Sequence, residues 1–437
     1  MAFPRVVKVR QTFPRPRVED IERVLREQFG REEIGASIEP GMEVALTAGS
    51  RGISNIASIL RTLVQLLEEA GARPFVVPAM GSHGGATAEG QVEILDSLGI
   101  TEDSVGAPIR SSMQTVTLGE TGRGTTVYMD ENAAAADGVV VVGRVKLHTN
   151  FRAEIESGLC KMASIGLGKH DQALNLHAYG VEGIRDFMVE VAGCVLASGR
   201  VLFGVGIVEN AYEETAMLEA ISPEKIMERE KELLKEATRL MPDLPVSNIE
   251  VLFVDELGKN FSGTGMDTNV IGRFRLPGIE EPAVPGIRYI IVGGISEVSH
   301  GNANGVGLAD FTTRRLFDEI DYRAMNQNIL TSTFVERAKV PMILDSDRGA
   351  LEAAIRCNWG VAPEDTRFVR IPNTLKLREV YLSENLLEEA LERGNVEVVE
   401  EASPLQFDAA GNFPGFDEGV ERPVQPYSGP GDGGREG

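Results

Sequence analysis

The chain carries a formal net charge of −23 over 437 residues, so long-range attraction to a nucleic-acid backbone or an anionic membrane is excluded and neither is expected as a partner. Its 42% hydrophobic and 25% charged residues are those of a globular protein. At roughly 150 residues per domain the length exceeds one small core, and two domains are expected.

Residues 1–40 read as a strand at Val6–Val9, a Pro/Arg-rich turn and a helix near Val18–Gly30. The N-terminal stretch lacks the apolar core of a secretory signal, and no apolar run approaches about 18 residues. Cys160, Cys194 and Cys357 form neither a CxxC pair nor a disulfide framework, so a cytosolic location is expected. A short apolar run, Met42–Leu46, then ends in TAGSRG. The spacing of Ile53, Ile56, Ile59, Leu60, Leu63, Leu66 and Leu67 predicts an amphipathic helix closed by Gly71.

A second strand, Pro74–Met80, leads into GSHGGAT and a helix N-capped by Thr87. Strand, glycine loop and helix thus occur twice, which predicts an α/β fold with mostly parallel sheets and ligands at the carboxyl ends of the strands. Ser50, Arg51 and His83 would then meet at one edge. The continuous β-branched run Gly138–Val145 predicts a strand buried on both faces and running directly to His148. Beyond it, Ser157–Gly168 reads as a loop and helix start carrying Lys161. Val181–Ser198 reads as a helix, Val201–Val208 as a strand, and Ser222-Pro223 as the cap of a helix reaching Met241.

Ile249–Val254 is a further strand, followed by DELGKNFSGTG. The irregular Pro/Gly segment Arg273–Pro285 suggests a change of domain, giving units 1–272 and 273–400. The second unit reads as a strand at Ile287–Val292, helices at Thr313–Arg323 and Phe334–Ala338, and a strand at Pro341–Leu344. A helix at Arg348–Cys357, a strand at Arg367–Ile371 and a helix at Ser383–Arg393 follow. From Glu401 the chain turns acidic and Gly/Pro-rich, so 401–437 is expected to be a poorly ordered tail.

Four of the five histidines fall between residues 83 and 177. His83 and His148 suit a pair of general acid/bases, because imidazole exchanges a proton near neutral pH at least cost. Lys161 is either an exposed lysine at a helix start or a buried amine able to bond covalently to a carbonyl-type cofactor. His177 lies 16 residues beyond Lys161, which fits no standard zinc spacing; a metal there would take its other ligands from a bound cofactor. The TAGSRGIS turn, with Ser50 and Arg51, would hold a phosphate or carboxylate. In GSHGNANG, His300 and Asn302 are either parts of a structural turn or substrate contacts from the second domain.

Taken in order, GSRG, GSHGG, KLHTNF, SGLCKMASIGLG and the histidine 16 residues after the lysine resemble the nickel-pincer-dependent lactate racemase family. The resemblance implies two α/β domains with the active site in the cleft between them. It also implies nickel held in an SCS pincer built from a pyridinium mononucleotide, with Lys161 as its attachment point and His177 as a nickel ligand. His83 and His148 would be the acid/base pair, and Arg51 would meet a phosphate or the substrate carboxylate. The implied activity is a racemase or epimerase that inverts C2 of a 2-hydroxy acid through reversible hydride transfer. Cofactor-synthesis enzymes would be its maturation partners. The chain has Ala48 where the family's lactate enzymes tend to have an acidic residue, and SGL where they read SGG. With the His300 loop, these departures point to a larger 2-hydroxy acid such as a sugar acid or a dicarboxylate. Two other classes remain open: a protein that binds the pincer or nickel without turnover, and a 2-hydroxy acid oxidoreductase.

Overall fold

The structure is a computed structural model, and it describes residues 2–416. Two sheets organise it. The first has five strands in the spatial order Arg73–Pro78, Glu43–Ala48, Gly138–Arg144, Val201–Glu209 and Thr215–Ile221; only the last pairing is antiparallel. Both faces are covered, and the alternation along each strand shows it. Ala45, Val77, Val139 and Val141 enter one apolar cluster, whereas Val44, Leu46, Val140 and Val142 enter the other.

The second sheet has eight strands. Five are parallel, in the order Met342–Leu344, Phe311–Thr313, Gly286–Ile295, Asn248–Leu257 and Phe368–Ile371. Glu379–Ser383, Arg5–Gln11 and Val396–Pro404 then continue it antiparallel. It is doubly covered as well: Leu252, Val254, Ile290 and Val292 face one cluster, and Val251, Phe253 and Ile291 the other.

Sheet membership departs from the expected boundary at Arg273. Asn248–Leu257 and the N-terminal Arg5–Gln11 both belong to the second sheet. The chain therefore crosses between sheets after Gln11 and again between Ile221 and Asn248. The Pro/Gly segment is an excursion between two strands of one sheet, which its lack of periodicity could not distinguish from a linker.

Several local expectations hold. Thr87 caps Ala88–Ser97 by accepting the Gly90 N–H at 3.1 Å, and Ile56–Glu69 buries its predicted stripe. Others change. Ser222 makes no helix-cap bond; its hydroxyl binds Glu224, and a single turn at Pro223–Lys225 precedes the helix Ile226–Leu240. The helix expected over Thr313–Arg323 breaks into Arg314–Asp318 and Tyr322–Ser332, because Asp321 caps the second piece by accepting the Arg323 and Ala324 N–H groups. The tail is ordered beyond Glu401: the last strand runs to Pro404, and Phe407 and Phe413 pack on the cluster around Phe253. The rest of the expected tail, 417–437, lies outside the described residues.

Where the two lobes meet, Phe151 and Ile184 of the first pack against Phe274, Leu276 and Phe334. That contact lies beside the segment carrying His148.

Candidate active site

His83 and His148 leave the carboxyl ends of parallel strands in the first sheet. They are not on neighbouring strands, since Glu43–Ala48 runs between their two. Two strand spacings separate them by roughly 9–10 Å at sheet level, which is room for a small molecule. That middle strand ends in the turn with Ser50 and Arg51 and so feeds the gap.

The segment carrying His83 packs closely against the one that follows Lys161. Gly81, at φ 60°, leaves a Cβ position only 3.2 Å from Ile165, and a Cβ at Gly166 would meet the Ala79 carbonyl at 2.8 Å. The Ser50 hydroxyl contacts His83 Nδ1. Ser50, rather than an acid at the position of buried Ala48, therefore orients this ring. Water reaches His83, yet surrounding protein and then the charges of Arg51, Lys161, Lys259 and His177 hold its pKa below the ordinary value.

His148 is 8% exposed and stacks on Phe151 with ring centroids 4.4 Å apart. Glu156, itself buried, accepts the His148 backbone N–H at 2.6 Å and that of Ala153 at 2.9 Å, which closes the loop. The Asn150 N–H donates to His148 Nδ1 at 3.2 Å, and Nε2 lies 2.9 Å from Lys161 Nζ. With Nδ1 accepting, a neutral imidazole carries its proton on Nε2, and the partner that can receive it is an uncharged Lys161 amine. A lowered lysine pKa makes the uncharged amine the major form above about pH 8. Burial first, and then Lys146 and Arg51, lower the Lys161 pKa to about 8, while burial, Lys161 and Arg337 push His148 well down.

Lys161 lies on the turn Leu159–Lys161, which passes into a π-helical segment, Met162–Gly166, and then the helix Lys169–His177. The expected loop is thus largely helical. His177, on that helix's last turn, is held neutral by burial and by Lys161, at about 4. Its Nδ1 is buried without a hydrogen-bond partner. No group of three or more His, Cys, Asp or Glu suited to a metal occurs among the described residues.

The second lobe adds groups that the sequence reading did not single out. Lys259 Nζ donates to the Gly263 carbonyl at 2.8 Å and to Asn328 at 3.1 Å, and burial followed by Arg51 and Arg337 lowers its pKa to about 7. A Cβ on Gly263 would lie 3.2 Å from the Arg51 guanidinium, so the two lobes touch here. Arg337 reaches across to Asn150 Oδ1 at 2.6 Å and the Thr149 carbonyl at 2.9 Å, tying down the His148 loop. Arg144, paired with Glu209, and Lys146 add further cations from the strand end before His148, and Lys146 is pushed down by burial and then by Arg144. Arg144 and Lys146 stood within the run from Gly138 to His148; nothing local marked Arg337.

His300 and Asn302 are not brought into this group. His300 is exposed in a left-handed turn, and the Asn302 side-chain carbonyl accepts the Asn304 N–H at 3.2 Å. Asn304 instead supports Asn328, at 2.8 Å, and through it Lys259. Depressions lined by the acidic helix at Glu384–Glu392 contain none of these residues.

Arg51, Lys146, Lys161, Lys259 and Arg337 are all pushed toward neutrality, by desolvation first and, in all but Arg337, then by a neighbouring cation. In a chain of net charge −23, a group of partly desolvated cations of this kind can hold an anion.

Residues 5–181 match the family model described as the lactate racemase N-terminal domain. No curated protein matches the chain in sequence. Among solved structures, the lactate racemase apoprotein from Thermoanaerobacterium thermosaccharolyticum is similar at 10% identity, with 85% of this chain and 98% of that chain covered and a TM-score of 0.51. That likeness is one of fold. No helix among the described residues is long and apolar enough to cross a membrane. Residues 5–181 thus match a lactate racemase N-terminal domain, and the fold of the chain is like that of a lactate racemase apoprotein.

Proposed function

We propose that this chain is a nickel-pincer-dependent racemase or epimerase that inverts C2 of a 2-hydroxy acid. The observation that carries the reading is the convergence of His83, His148, Lys161 and His177: burial aside, Lys161 acts electrostatically on all three histidines, and His177 on His83 and His148. The donor set fits the cofactor. His177 offers a single neutral imidazole with an unpartnered nitrogen, which suits a metal that brings its other ligands with it. Lys161 offers an amine that loses its proton around pH 8 rather than 10.5, which favours the covalent attachment.

When bound, the cofactor supplies a hydride acceptor that can return what it takes. The chain's residues do the rest. Arg51 and Lys259, one from each lobe, would hold the substrate carboxylate or the cofactor phosphate, and Lys259 takes the role first considered for His300 and Asn302. His83 and His148 are kept uncharged at neutral pH, so either can accept the hydroxyl proton, His148 once its ring exchanges the present Asn150 or Lys161 partner for the substrate. Reaching the gap from two strands that are not adjacent, they can serve the substrate from different sides, as inversion requires. The surplus of cations supports a substrate with a second anionic or hydroxyl group, a dicarboxylate or a sugar acid.

The test uses protein matured with pincer-synthesis enzymes and nickel, a panel of single-enantiomer 2-hydroxy acids, chiral chromatography and metal analysis. Racemisation without net keto acid is expected, and it should be abolished in His83→Gln with nickel content kept. Bound nickel with no racemisation of any panel member would favour a binding protein. Net keto acid formation with a soluble acceptor would favour an oxidoreductase.

A further inference from the structure

One buried cation near the site has no place in the chemistry above. Lys169 opens the helix that ends in His177, eight residues on, and it does so at φ 52°, a left-handed conformation that a lysine rarely adopts. Its side chain is fully buried and pairs with Asp130 at 3.2 Å, also fully buried. Asp130 is itself anchored: its Oδ1 accepts the Ala133 N–H at 2.9 Å, and its own N–H binds the Leu167 carbonyl at 2.7 Å. The Lys169 ammonium also donates to the Pro78 carbonyl and, at 2.9 Å, to Gln91 Oε1.

Those bonds decide which way the Gln91 amide faces. With its oxygen held by a cation, its nitrogen points to the loop, donating to the Gly81 carbonyl at 2.9 Å and to the His83 carbonyl at 3.3 Å. Gln91 is itself 0% exposed, so no water competes for either end. The Pro78 and Gln91 contacts fall at the two ends of the segment that presents His83, and Lys169 grips both. A buried charge is costly to keep, and in some proteins such groups fix one arrangement over others.

We propose that Lys169 is a positioning residue: paired with Asp130, its ammonium orients Gln91 to hold the His83 loop at a fixed place relative to the helix that carries His177. The link to turnover rests on the function proposed above; the positional claim does not. In Gln91→Glu the carboxylate still pairs with Lys169 but cannot donate to either loop carbonyl. The double variant Lys169→Met with Asp130→Leu removes the orienting charge without leaving an unpaired one behind, and it carries the same test if Gln91→Glu does not fold.

The experiment is histidine-selective NMR of the full chain without cofactor, with five histidine signals assigned by single substitution, run beside steady-state kinetics of the matured protein. In either variant the His83 ring signal should move or broaden while those of His148 and His300 stay in place. On the proposed substrate, kcat should fall by about tenfold or more with KM little changed, since ~1 Å of misplacement can cost ~100-fold. If the wild-type protein racemises nothing but the His83 signal moves, the functional reading falls and the positioning role stands. A folded variant with an unmoved His83 signal and unaltered kcat overturns the positioning role.

Discussion

Glu230 tests the electrostatics of the segment that carries Lys161. It lies on the helix Ile226–Leu240 at 0% exposure, and its Oε2 accepts the Cys160 N–H at 2.8 Å, capping the turn on which Lys161 follows. Its Oε1 is buried without a partner. Burial raises its pKa from 4.5 to about 7, against the opposing pull of the Cys160 and Leu159 donors. Between those two values the folded chain keeps a proton that the unfolded chain has lost. The stabilisation is therefore fully present below pH 4.5 and disappears as pH rises through 7. Two and a half pH units at about 1.4 kcal/mol each amount to about 3 kcal/mol. Glu230→Gln keeps the carbonyl that accepts from Cys160 but cannot ionise, so that contribution drops out. Urea unfolding of both proteins from about pH 4 to about pH 8 gives the difference directly, with every other titrating group cancelling. The variant should gain about 3 kcal/mol on the wild type across that range. A stability difference that does not change with pH would refute the assignment of a protonated carboxyl beneath the lysine turn.

Two further outcomes are expected. Acylation of Lys161 by acetic anhydride, followed by peptide mass spectrometry, should rise through a midpoint near pH 8, because the amine loses its proton there; a midpoint near the ordinary 10.5 would contradict the neutral amine inferred from the His148 tautomer. A chain ending at Pro404 loses Phe407 and Phe413 and the Pro414 carbonyl that accepts from Arg370 at 2.7 Å, so calorimetry should find it less stable by ~2 kcal/mol, part of what a fully buried aromatic is worth; an unchanged melting temperature would show that 405–416 adds nothing.

Local pattern carried much of this protein. The continuous run GVVVVGR reads as a strand covered on both faces because it is β-branched and short, and the spacing from Ile53 to Leu67 as one buried stripe of a helix. Where two signals competed locally, the reading failed: Asp321 was a cap inside an apolar period, and Ser222 bound Glu224 instead of the backbone. The family resemblance pointed to the same histidines and lysine that the fold brings near one another.

Sequence alone determined the elements, the glycine turns between them and the chemical type of the residues at their ends, because each depends on a few neighbouring positions. Only the tertiary structure decided that a strand runs between those bearing His83 and His148, that residues 248–257 leave the first sheet for the second, and that Lys259, Arg337 and Lys169 reach the site from distant positions. Strand order and lobe contact are set by how covered faces pack together, and no local period along the chain encodes which distant side chains that packing brings within a hydrogen bond of one another.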